Sequence, residues 1–278
     1  MQLTENALAT YRERGYWISP VLYSYEEIAE LRNAVKDVCS GRREPGCRYW
    51  LGSGPEDLDP QNPRVIQVNN AWWVNSRMRE AVLDPRLGYI GAQFTNTDEV
   101  RLWHDQAIYK PGVGPDGHDE KAGNVGWHQD YAHWQCASTH NFVTAWVALQ
   151  DTDLENGGMR TIVGSHKWGL RKSANTFGEK NLEELADRFR REDQSWADEP
   201  CILKAGQVSF HHALTFHGSG PNLTSEPRLC FIVHMMPADC AVNEAGRYHQ
   251  NLDLLGPDKR TGDLFTGPCF PRIWAKGI

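Results

Sequence analysis

The sequence predicts a mainly β fold with flanking helices, in which short antiparallel strands build a sandwich or barrel. Helical patterns come first, and about eight short strand candidates fill the remaining two-thirds of the 278 residues. No stretch rich in proline, glycine and serine is long enough to separate two domains. The pattern G-x-x-x-x-G-K-[ST], typical of parallel nucleotide-binding sheets, does not occur. We therefore expect one domain over residues 1–278.

The N-terminal third is predicted to be mostly helical. Residues 1–15 are polar and helix-like, and residues 25–38 carry apolar side chains at steps of three and four. Ser24 stands directly before the second segment, where it can cap the helix. A short helix is expected over residues 75–83, where an Asp-Pro pair follows and ends it. Residues 40–63 are rich in turn formers and predict an irregular surface segment.

Short strands are predicted from residue 99 onward. Residues 100–109 alternate, which places His104, Gln106 and Ile108 on one face. Residues 181–191 are charged and predict a helix inserted between strands. The other strand candidates are rich in β-branched and aromatic side chains, and they are residues 141–150, 159–163, 207–211 and 228–236.

Composition and charge exclude several classes of function. Hydrophobic residues make up 40% and charged residues 23% of the chain, as in a globular protein. The net charge of −7 argues against a nucleic-acid-binding surface, and no apolar run approaches the roughly 18 residues that span a bilayer. The seven cysteines form no C-x-x-C pair, which favours reduced thiols over a zinc site. We expect a cytoplasmic monomer or homodimer that acts on a small molecule, without nucleic-acid or membrane partners.

Two segments carry side chains suited to a metal ion. His128 and Asp130 are separated by one residue, so on a strand they face the same side and can bind one ion. His217 would complete a set of two histidines and one carboxylate on one face of an octahedral ion. This set leaves three adjacent positions free and suits Fe(II) that must bind a cosubstrate and O₂. The pattern predicts a non-haem iron centre, with a surface turn that holds the first two side chains as the alternative.

Arg228 opens the apolar run LCFIV, where an unpaired guanidinium would be costly. A planar carboxylate is its natural partner, because the two groups match as a bidentate pair. A dicarboxylate that chelates iron at one end and pairs with Arg228 at the other fits both requirements, and 2-oxoglutarate is such a molecule. The alternatives are a cupin-like metal enzyme that does not use 2-oxoglutarate and a catalytically inactive binding barrel. The first has no need of Arg228, and the second has no need of a complete metal-binding set.

Four segments, in order along the chain, resemble the phytanoyl-CoA dioxygenase family of Fe(II)/2-oxoglutarate oxygenases, of the type found in bacterial secondary metabolism. They are ERGYWISPVLYSYEEIAELRNAV, YKPG with GWHQDYAHW, LENGGMRTIVGSHKWG, and HGSGPNLTSEPR. The resemblance covers about residues 8–240. The chain departs from the family pattern at Val163, where proline is usual, and in the long span between Pro111 and Asn124.

The resemblance implies a double-stranded β-helix, the jelly-roll or cupin-like barrel. Its helical part would cover residues 1–95, its barrel core residues 96–240 and a C-terminal extension residues 241–278. The carboxylate of Asp130 is absent from halogenating relatives, so oxygenation or dehydrogenation is implied instead. The resemblance assigns His128, Asp130 and His217 to iron and catalysis, Arg228 and Ser219 to the distal carboxylate of 2-oxoglutarate, and Gln129 and Trp146 to further cosubstrate contacts.

Four further side chains are candidates for the same pocket. Gln106 lies on a strand face that would point into the barrel, where it could contact 2-oxoglutarate. Trp134 lies where relatives place an aromatic side chain over the iron. Ser165 and His166 are candidates for substrate contact, with a turn cap and a helix end as the alternatives.

Tryptophan is unusually frequent, with 11 residues in the chain. Flat indoles suit stacking on sugar rings, and an acidic chain suits a neutral or cationic substrate. We therefore expect oxidation of a C–H bond in a bulky, oxygen-rich natural product such as a glycoside, by hydroxylation or ring closure, with release of succinate and CO₂. Packing in the core is the alternative for these indoles, which are Trp72, Trp73, Trp127, Trp134, Trp146 and Trp168.

Overall fold

The computed structural model describes residues 3–45, 64–114 and 123–277. The described helices are α1 (Glu5–Arg14), α2 (Tyr25–Cys39), α3 (Ser76–Val82), α4 (Pro85–Thr95) and α5 (Leu182–Phe189). The described strands are β1 (Tyr16–Ile18), β2 (Ile66–Asn69), β3 (Glu99–Lys110), β4 (Val125–His128), β5 (Val143–Ala148), β6 (Met159–Ile162), β7 (Asp198–Pro200), β8 (Val208–His212), β9 (His217–Ser219), β10 (Arg228–Pro237) and β11 (Arg272–Ala275).

These strands form two antiparallel sheets. The larger sheet has the order β1-β8-β5-β10-β3-β11, with β2 also paired to β3, and the smaller sheet has the order β4-β9-β6-β7. Side chains of both sheets line one cavity. This architecture is the double-stranded β-helix that the resemblance implied.

Helix α2 confirms the N-terminal prediction. The Ser24 hydroxyl accepts a hydrogen bond from the N–H of Glu27, and the Glu27 carboxylate accepts one from the N–H of Ser24, which makes a capping box. The apolar steps of three and four bury Leu31 and Val35 in the cluster between the helices and the larger sheet. The sequence therefore determines both where this helix begins and which face packs inward.

The Asp84-Pro85 pair both ends α3 and begins α4, a helix that the sequence reading missed. Pro85 is the first residue of α4, and the Asp84 carboxylate accepts a hydrogen bond from the next N–H of that helix. Each glycine inside a helix destabilises it by about 0.5–1 kcal/mol relative to alanine, so a sequence with glycines is a poor indicator of a helix. In α4 they serve close packing, because a Cβ on Gly88 would lie 2.6 Å from the Cβ of Trp274.

The five strand candidates with residue ranges are confirmed as β3, β5, β6, β8 and β10, with ends shifted by at most two residues. The charged helix is confirmed as α5, and its apolar face packs on Trp127 and Phe216. Strands β1, β2, β4, β7, β9 and β11 have only three or four residues each, too few for a clear alternation. Of the two predicted loops, residues 46–63 and 115–122 lie outside the described ranges.

Strand β10 connects the core with the cavity. Phe231, Val233 and Met235 face the helices, whereas Ile232 and His234 line the cavity. This is the period of two that a strand imposes on its side chains. One strand therefore carries core packing on one face and chemistry on the other.

None of the helices in the described ranges is long and apolar enough to cross a membrane.

Candidate metal centre

His128, Asp130 and His217 bring one ligand atom each to a common point. The ligand atoms of these buried side chains all lie within 4.8 Å of one another. The Nε2 atoms of His128 and His217 are 3.6 Å and 3.5 Å from Oδ1 of Asp130. Each Nδ1 faces a main-chain carbonyl, that of Gly126 at 2.8 Å and that of Thr215 at 3.0 Å. Because Nδ1 donates there, each Nε2 keeps its lone pair for a metal ion.

Strand pairing explains why residues far apart in sequence meet here. His128 ends β4 and is the direct pairing partner of His217, which begins β9. Asp130 lies beyond the strand end, in a short 3₁₀ turn, so the prediction that one strand carries both first ligands is wrong at this residue. Gln129 keeps extended angles of φ −113° and ψ 128°, and Asp130 therefore still faces the same side as His128.

The second oxygen of Asp130 is held away from the metal-binding point. Thr144 Oγ1 lies 2.8 Å from Oδ2 of Asp130 and 2.8 Å from Nδ1 of His234. The hydroxyl has one proton, which it donates to the carboxylate, so the imidazole of His234 must donate from Nδ1. Nε2 of His211 is 3.4 Å from the same carboxylate oxygen. These contacts leave Oδ1 as the oxygen that faces the two ligand imidazoles.

The donor set fits iron. Two imidazole nitrogens and one carboxylate oxygen are the ligands of the facial triad that holds non-haem Fe(II). Burial, reinforced by the neighbouring His128, lowers the pKa of His217 well below its usual value, which keeps this ligand in its neutral form. Within the described ranges, no second group of three or more histidine, cysteine or acidic side chains comes this close together.

The adjacent histidines His211 and His212 point to opposite sides of β8, as the strand period predicts. His211 lines the cavity. His212 accepts a hydrogen bond on Nδ1 from the N–H of Leu214 at 3.0 Å and lies beside His140 and His166. Only the first of the pair can therefore contribute to the metal site.

Two buried cations lie side by side, and one of them, Arg228, lines the cavity. Lys110 ends β3 and is the pairing partner of Arg228, which begins β10. Lys110 Nζ donates to Ser219 Oγ at 2.7 Å and to the carbonyl of Gly157 at 3.2 Å, and Arg228 Nη2 donates to that same carbonyl at 3.3 Å. The Arg228 guanidinium also lies 5.1 Å from the ring centroid of Trp146. We call Lys110, Ser219 and Arg228 the cationic end.

The cationic end calls for an anion. Within the described ranges neither Lys110 nor Arg228 has a carboxylate partner, and both are buried, at 0% and 4% exposure. Buried like charges on paired positions repel, and an unpaired buried charge is costly. Burial, and then the charge of Arg228, lowers the pKa of Lys110 well below its usual value. A bound carboxylate would relieve both the repulsion and the desolvation.

Sequence reasoning missed Lys110, although a signal for it exists. Lys110 continues the alternation of Gln106 and Ile108 by two more residues, so it shares their strand face. In the sequence, Lys110 stands within the YKPG segment of the family resemblance.

The three metal-binding side chains line one cavity of about 440 Å³. Of the predicted cosubstrate residues, Gln106, Trp146, Ser219 and Arg228 line it, and Trp134 lines it as well. Histidine is the most frequent residue type in the lining. The lining histidines are His104, His128, His133, His211, His217, His234 and His249.

The structure does not bring Gln129, Ser165 and His166 to the cavity. Gln129 is fully buried, and its amide donates to the carbonyls of Gly169 and Leu214 and accepts from the N–H of Arg171. Its neighbours in sequence face the cavity, so the strand period turns Gln129 to the other side. The amide acts as a bridge between loops and has no group left for a cosubstrate.

Ser165 and His166 follow their structural alternatives. The Ser165 hydroxyl donates to the carbonyl of Ile162 at 2.7 Å and accepts from the N–H of Phe216 at 2.8 Å, which caps a turn. His166 Nε2 lies 3.1 Å from the carbonyl of Arg12, against the end of α1. Ser165 therefore joins two segments of the barrel, and His166 contacts the end of α1.

The indoles mostly follow their core alternative. Of the six tryptophans near the motifs, Trp134 and Trp146 line the cavity. Trp72 and Trp73 pack in the cluster between the helices and the larger sheet, and Trp127 and Trp168 pack outside the smaller sheet. The expectation of a sugar-binding wall of stacked indoles is therefore not supported by their placement.

Comparison with known proteins agrees with this site. A sequence profile described as Phytanoyl-CoA dioxygenase (PhyH) matches residues 11–230. Peroxisomal phytanoyl-CoA dioxygenase of Mus musculus is 24% identical over 246 residues, which are 87% of this chain and 71% of the relative. A "Probable alpha-ketoglutarate-dependent hypophosphite dioxygenase" of Stutzerimonas stutzeri is 29% identical and covers 82% of this chain and 77% of its own.

Solved structures share the whole fold. The epimerase SnoN from nogalamycin biosynthesis, in complex with Fe3+, alpha ketoglutarate and nogalamycin RO, superposes with a TM-score of 0.72 at 26% identity. The match covers 97% of this chain and 98% of that one. The carbocyclase SnoK from the same biosynthesis has a TM-score of 0.71 at 23% identity, over 97% of this chain and 96% of its own.

Proposed function

The chain belongs to the phytanoyl-CoA dioxygenase family, and on that premise we propose that it oxidises an unactivated C–H bond of a small-molecule natural product. It is a 2-oxoglutarate-dependent non-haem iron dioxygenase, an enzyme that uses Fe(II), 2-oxoglutarate and O₂. We propose hydroxylation or oxidative ring closure as the outcome, with succinate and CO₂ as coproducts. His128, Asp130 and His217 would hold the iron.

The observation that carries this proposal is one cavity that is lined both by the metal-binding triad and by Ser219 and Arg228 of the cationic end. Arg228 would hold the distal carboxylate of 2-oxoglutarate by charge-assisted hydrogen bonds, and Lys110, whose three N–H groups donate to Ser219 and to the carbonyls of Gly157 and Gly220, would add positive charge behind it. Because Lys110 donates to Ser219 Oγ, the proton of that hydroxyl is free to be donated to the same carboxylate. Trp146 covers the guanidinium and excludes water from the pair.

The bound iron and cosubstrate would supply the activation of O₂ and the oxidising equivalent. The chain's own task is to orient the ligands and the substrate. The hydrogen bond from Thr144 fixes the carboxylate of Asp130, and the main-chain acceptors of His128 and His217 fix both imidazoles. Trp134, packed edge-on to His234 at 4.7 Å between ring centroids, forms part of the wall against which a substrate C–H bond would be placed.

A natural product is the substrate class that two observations support. The SnoN and SnoK structures, which cover nearly all of this chain, come from the biosynthesis of nogalamycin. The cavity of about 440 Å³ also leaves room for a medium-sized molecule beside 2-oxoglutarate. A glycoside stays within this class, although the placement of Trp134 and Trp146 offers few indoles for stacking.

Anaerobic titration of 2-oxoglutarate into the Fe(II)-loaded protein tests the reaction class. A weak charge-transfer band in the visible should appear and saturate, because the cosubstrate would chelate iron while the cationic end holds its far carboxylate. Zn(II) in place of Fe(II) is the matched control and should give no band. A folded, iron-loaded protein without the band would favour a metal enzyme that does not use 2-oxoglutarate.

A substrate screen tests the finer proposal. Consumption of 2-oxoglutarate and release of succinate would be measured with glycosides, aglycone polyketides, terpenoids, amino acids and acyl-CoA thioesters. We expect stimulation by members of the natural-product sets. Stimulation by acyl-CoA thioesters alone would contradict the proposed substrate class and leave the reaction class intact.

A further inference from the structure

The segment 247–250 forms one wall of the cavity, which we call the C-terminal wall. Its position is fixed against β3. His249 Nδ1 accepts from the N–H of Asn251 at 3.1 Å, and the Asn251 side chain donates to the carbonyl of Trp103 at 2.7 Å. The ring of His249 also stacks on that of His104, with 5.6 Å between centroids and 16° between planes. The wall is therefore a built part of the site.

The charges that line the cavity are unbalanced. Among the described lining residues, Asp130 is the only carboxylate, and it belongs to the metal-binding triad. The two lining cations are Arg228, at the cationic end, and Arg247, on the C-terminal wall. Once 2-oxoglutarate pairs with Arg228, the remaining charge in the cavity wall is positive.

Arg247 has an orienting contact and no counter-ion. With the Asn175 amide oriented to present its oxygen, that oxygen accepts from Nη1 and Nη2 of Arg247 at 2.6 Å and 3.2 Å. No carboxylate within the described ranges forms an ion pair with this guanidinium, whose residue is exposed at the cavity. An amide oxygen positions an arginine without neutralising it.

His133 adds a second polar group beside Arg247. His133 also lines the cavity. Its Nε2 is buried and has no hydrogen-bond partner among the described residues. His104, which stacks on His249 and is only 5% exposed, also has a buried Nδ1 without a hydrogen-bond partner among the described residues. Unpartnered buried polar atoms that line a cavity indicate a polar ligand.

We propose that the substrate presents an anionic group, a carboxylate or a phosphoryl group, to Arg247 and His133. This inference rests on the proposed function and specifies the substrate class of the same site. The anionic end would sit on the C-terminal wall and leave the body of the substrate to reach toward the metal-binding triad. The acidity of the whole chain, −7, does not decide the matter, because the lining residues carry the opposite sign. This proposal differs from the expectation of a neutral or cationic substrate that the acidic composition gave.

Matched pairs of anionic and neutral probes test the inference by binding, without turnover. The full chain would be loaded with redox-inert Mn(II) and saturated with 2-oxoglutarate, so that the cationic end is already occupied. Cyclohexanecarboxylate against its carboxamide, and glucose 6-phosphate against glucose, would then be titrated calorimetrically. The two pairs also separate a carboxylate from a phosphoryl group. The variants are Arg247→Gln and, as the matched control, Arg260→Gln, which lies further along the chain and outside the cavity lining.

We expect the anionic member of at least one pair to bind about tenfold or more tightly than its neutral partner, because charge-assisted hydrogen bonds are the stronger kind. Arg247→Gln should abolish that preference, and Arg260→Gln should retain it. Equal binding of the two members, no binding by either anion, or a preference that survives Arg247→Gln would each overturn the inference. A failure of 2-oxoglutarate to saturate the wild-type protein in the first step would instead overturn the proposed function.

Discussion

At the cationic end Lys110 and Arg228 project from paired positions of two long strands, whereas on the C-terminal wall Arg247 projects from a segment without regular structure. The strand-borne cations are buried, and their places follow from the alternation of the sheet. The loop-borne cation is exposed, and a side-chain amide holds it. If both proposals hold, the comparison teaches that this barrel fixes its cosubstrate binding in the sheet and leaves substrate choice to a segment that can change without disturbing the strands.

Removal of a metal ligand should have the largest effect on activity, because the reaction needs the metal ion whether or not cosubstrate and substrate still bind. His217→Ala removes one of three ligand atoms, and iron-dependent turnover of 2-oxoglutarate should fall at least about 100-fold. His212→Ala, on the preceding strand of the chain but facing away from the cavity, is the matched control and should retain turnover. Normal activity in His217→Ala would show that the third ligand is misassigned.

Substitutions at the cationic end should weaken the binding of 2-oxoglutarate and leave the C-terminal wall unaffected. Arg228→Ala removes a charged partner of the distal carboxylate, and the apparent KM for 2-oxoglutarate should rise by about 10- to 100-fold. Arg228→Lys should restore only part of this loss, because a lysine cannot reproduce the bidentate geometry. Arg247→Gln, at the other end, should leave this KM unchanged. Wild-type dependence on 2-oxoglutarate in both Arg228 variants would place the cosubstrate elsewhere.

Loss of the hydrogen bond from Thr144 to Asp130 should affect metal binding more than it affects the cationic end or the C-terminal wall. Thr144→Val removes the hydroxyl and keeps the shape, so the affinity for Co(II), used as a spectroscopic probe, should fall by about tenfold. The visible d–d spectrum should also change as Oδ2 of Asp130 becomes free to turn. Thr144→Ser should restore both. An unchanged Co(II) spectrum in the valine variant would mean that Thr144 does not position the ligand.

The smallest functional effect is expected at Gln129, which the family resemblance places at the cosubstrate. Gln129→Leu leaves two buried carbonyls and one N–H unpaired, so the free energy of unfolding should fall by about 1–3 kcal/mol. The Kd for 2-oxoglutarate, measured by calorimetry on Mn(II)-loaded protein, should stay unchanged. Gln135→Leu removes a single contact and should cost less. A raised Kd with unchanged stability would restore the cosubstrate role.

The sequence allows prediction of much of the metal site, because each of its signals is local. The H-x-D spacing and the alternation of residues 100–109 depend on a backbone period that neighbouring residues determine. The pairing of His128 with His217 could only be expected through the family resemblance, since nothing in either segment encodes its partner strand. The same holds for Lys110, whose strand face was predictable but whose contact with Ser219 was not.

The differences between sequence and structure have local causes. Gln129 follows a cavity-facing residue on extended chain and therefore points away from the cavity. Ser165 and His166 lie in a short 3₁₀ helix, where contacts with neighbouring main-chain groups hold them outside the cavity. Helix α4 was missed because its glycines give a poor helical signal and a good packing surface. The C-terminal wall was missed because its position depends on contacts with Trp103 and His104 and not on any local pattern.

The direct pairing of His128 with His217 also bears on how the protein comes apart. These residues join β4 to β9 in the smaller sheet, and β9 has only three residues. A metal ion bound to both would act as a staple across this short ladder, and ligand binding to the folded state alone adds about 2.7 kcal/mol at a free concentration of 100 times Kd. Apoprotein should therefore exchange its β9 amide protons for deuterium faster than metal-loaded protein, with little difference at β10. The bound metal ion would therefore stabilise the same strand, β9, that supplies one of its ligands.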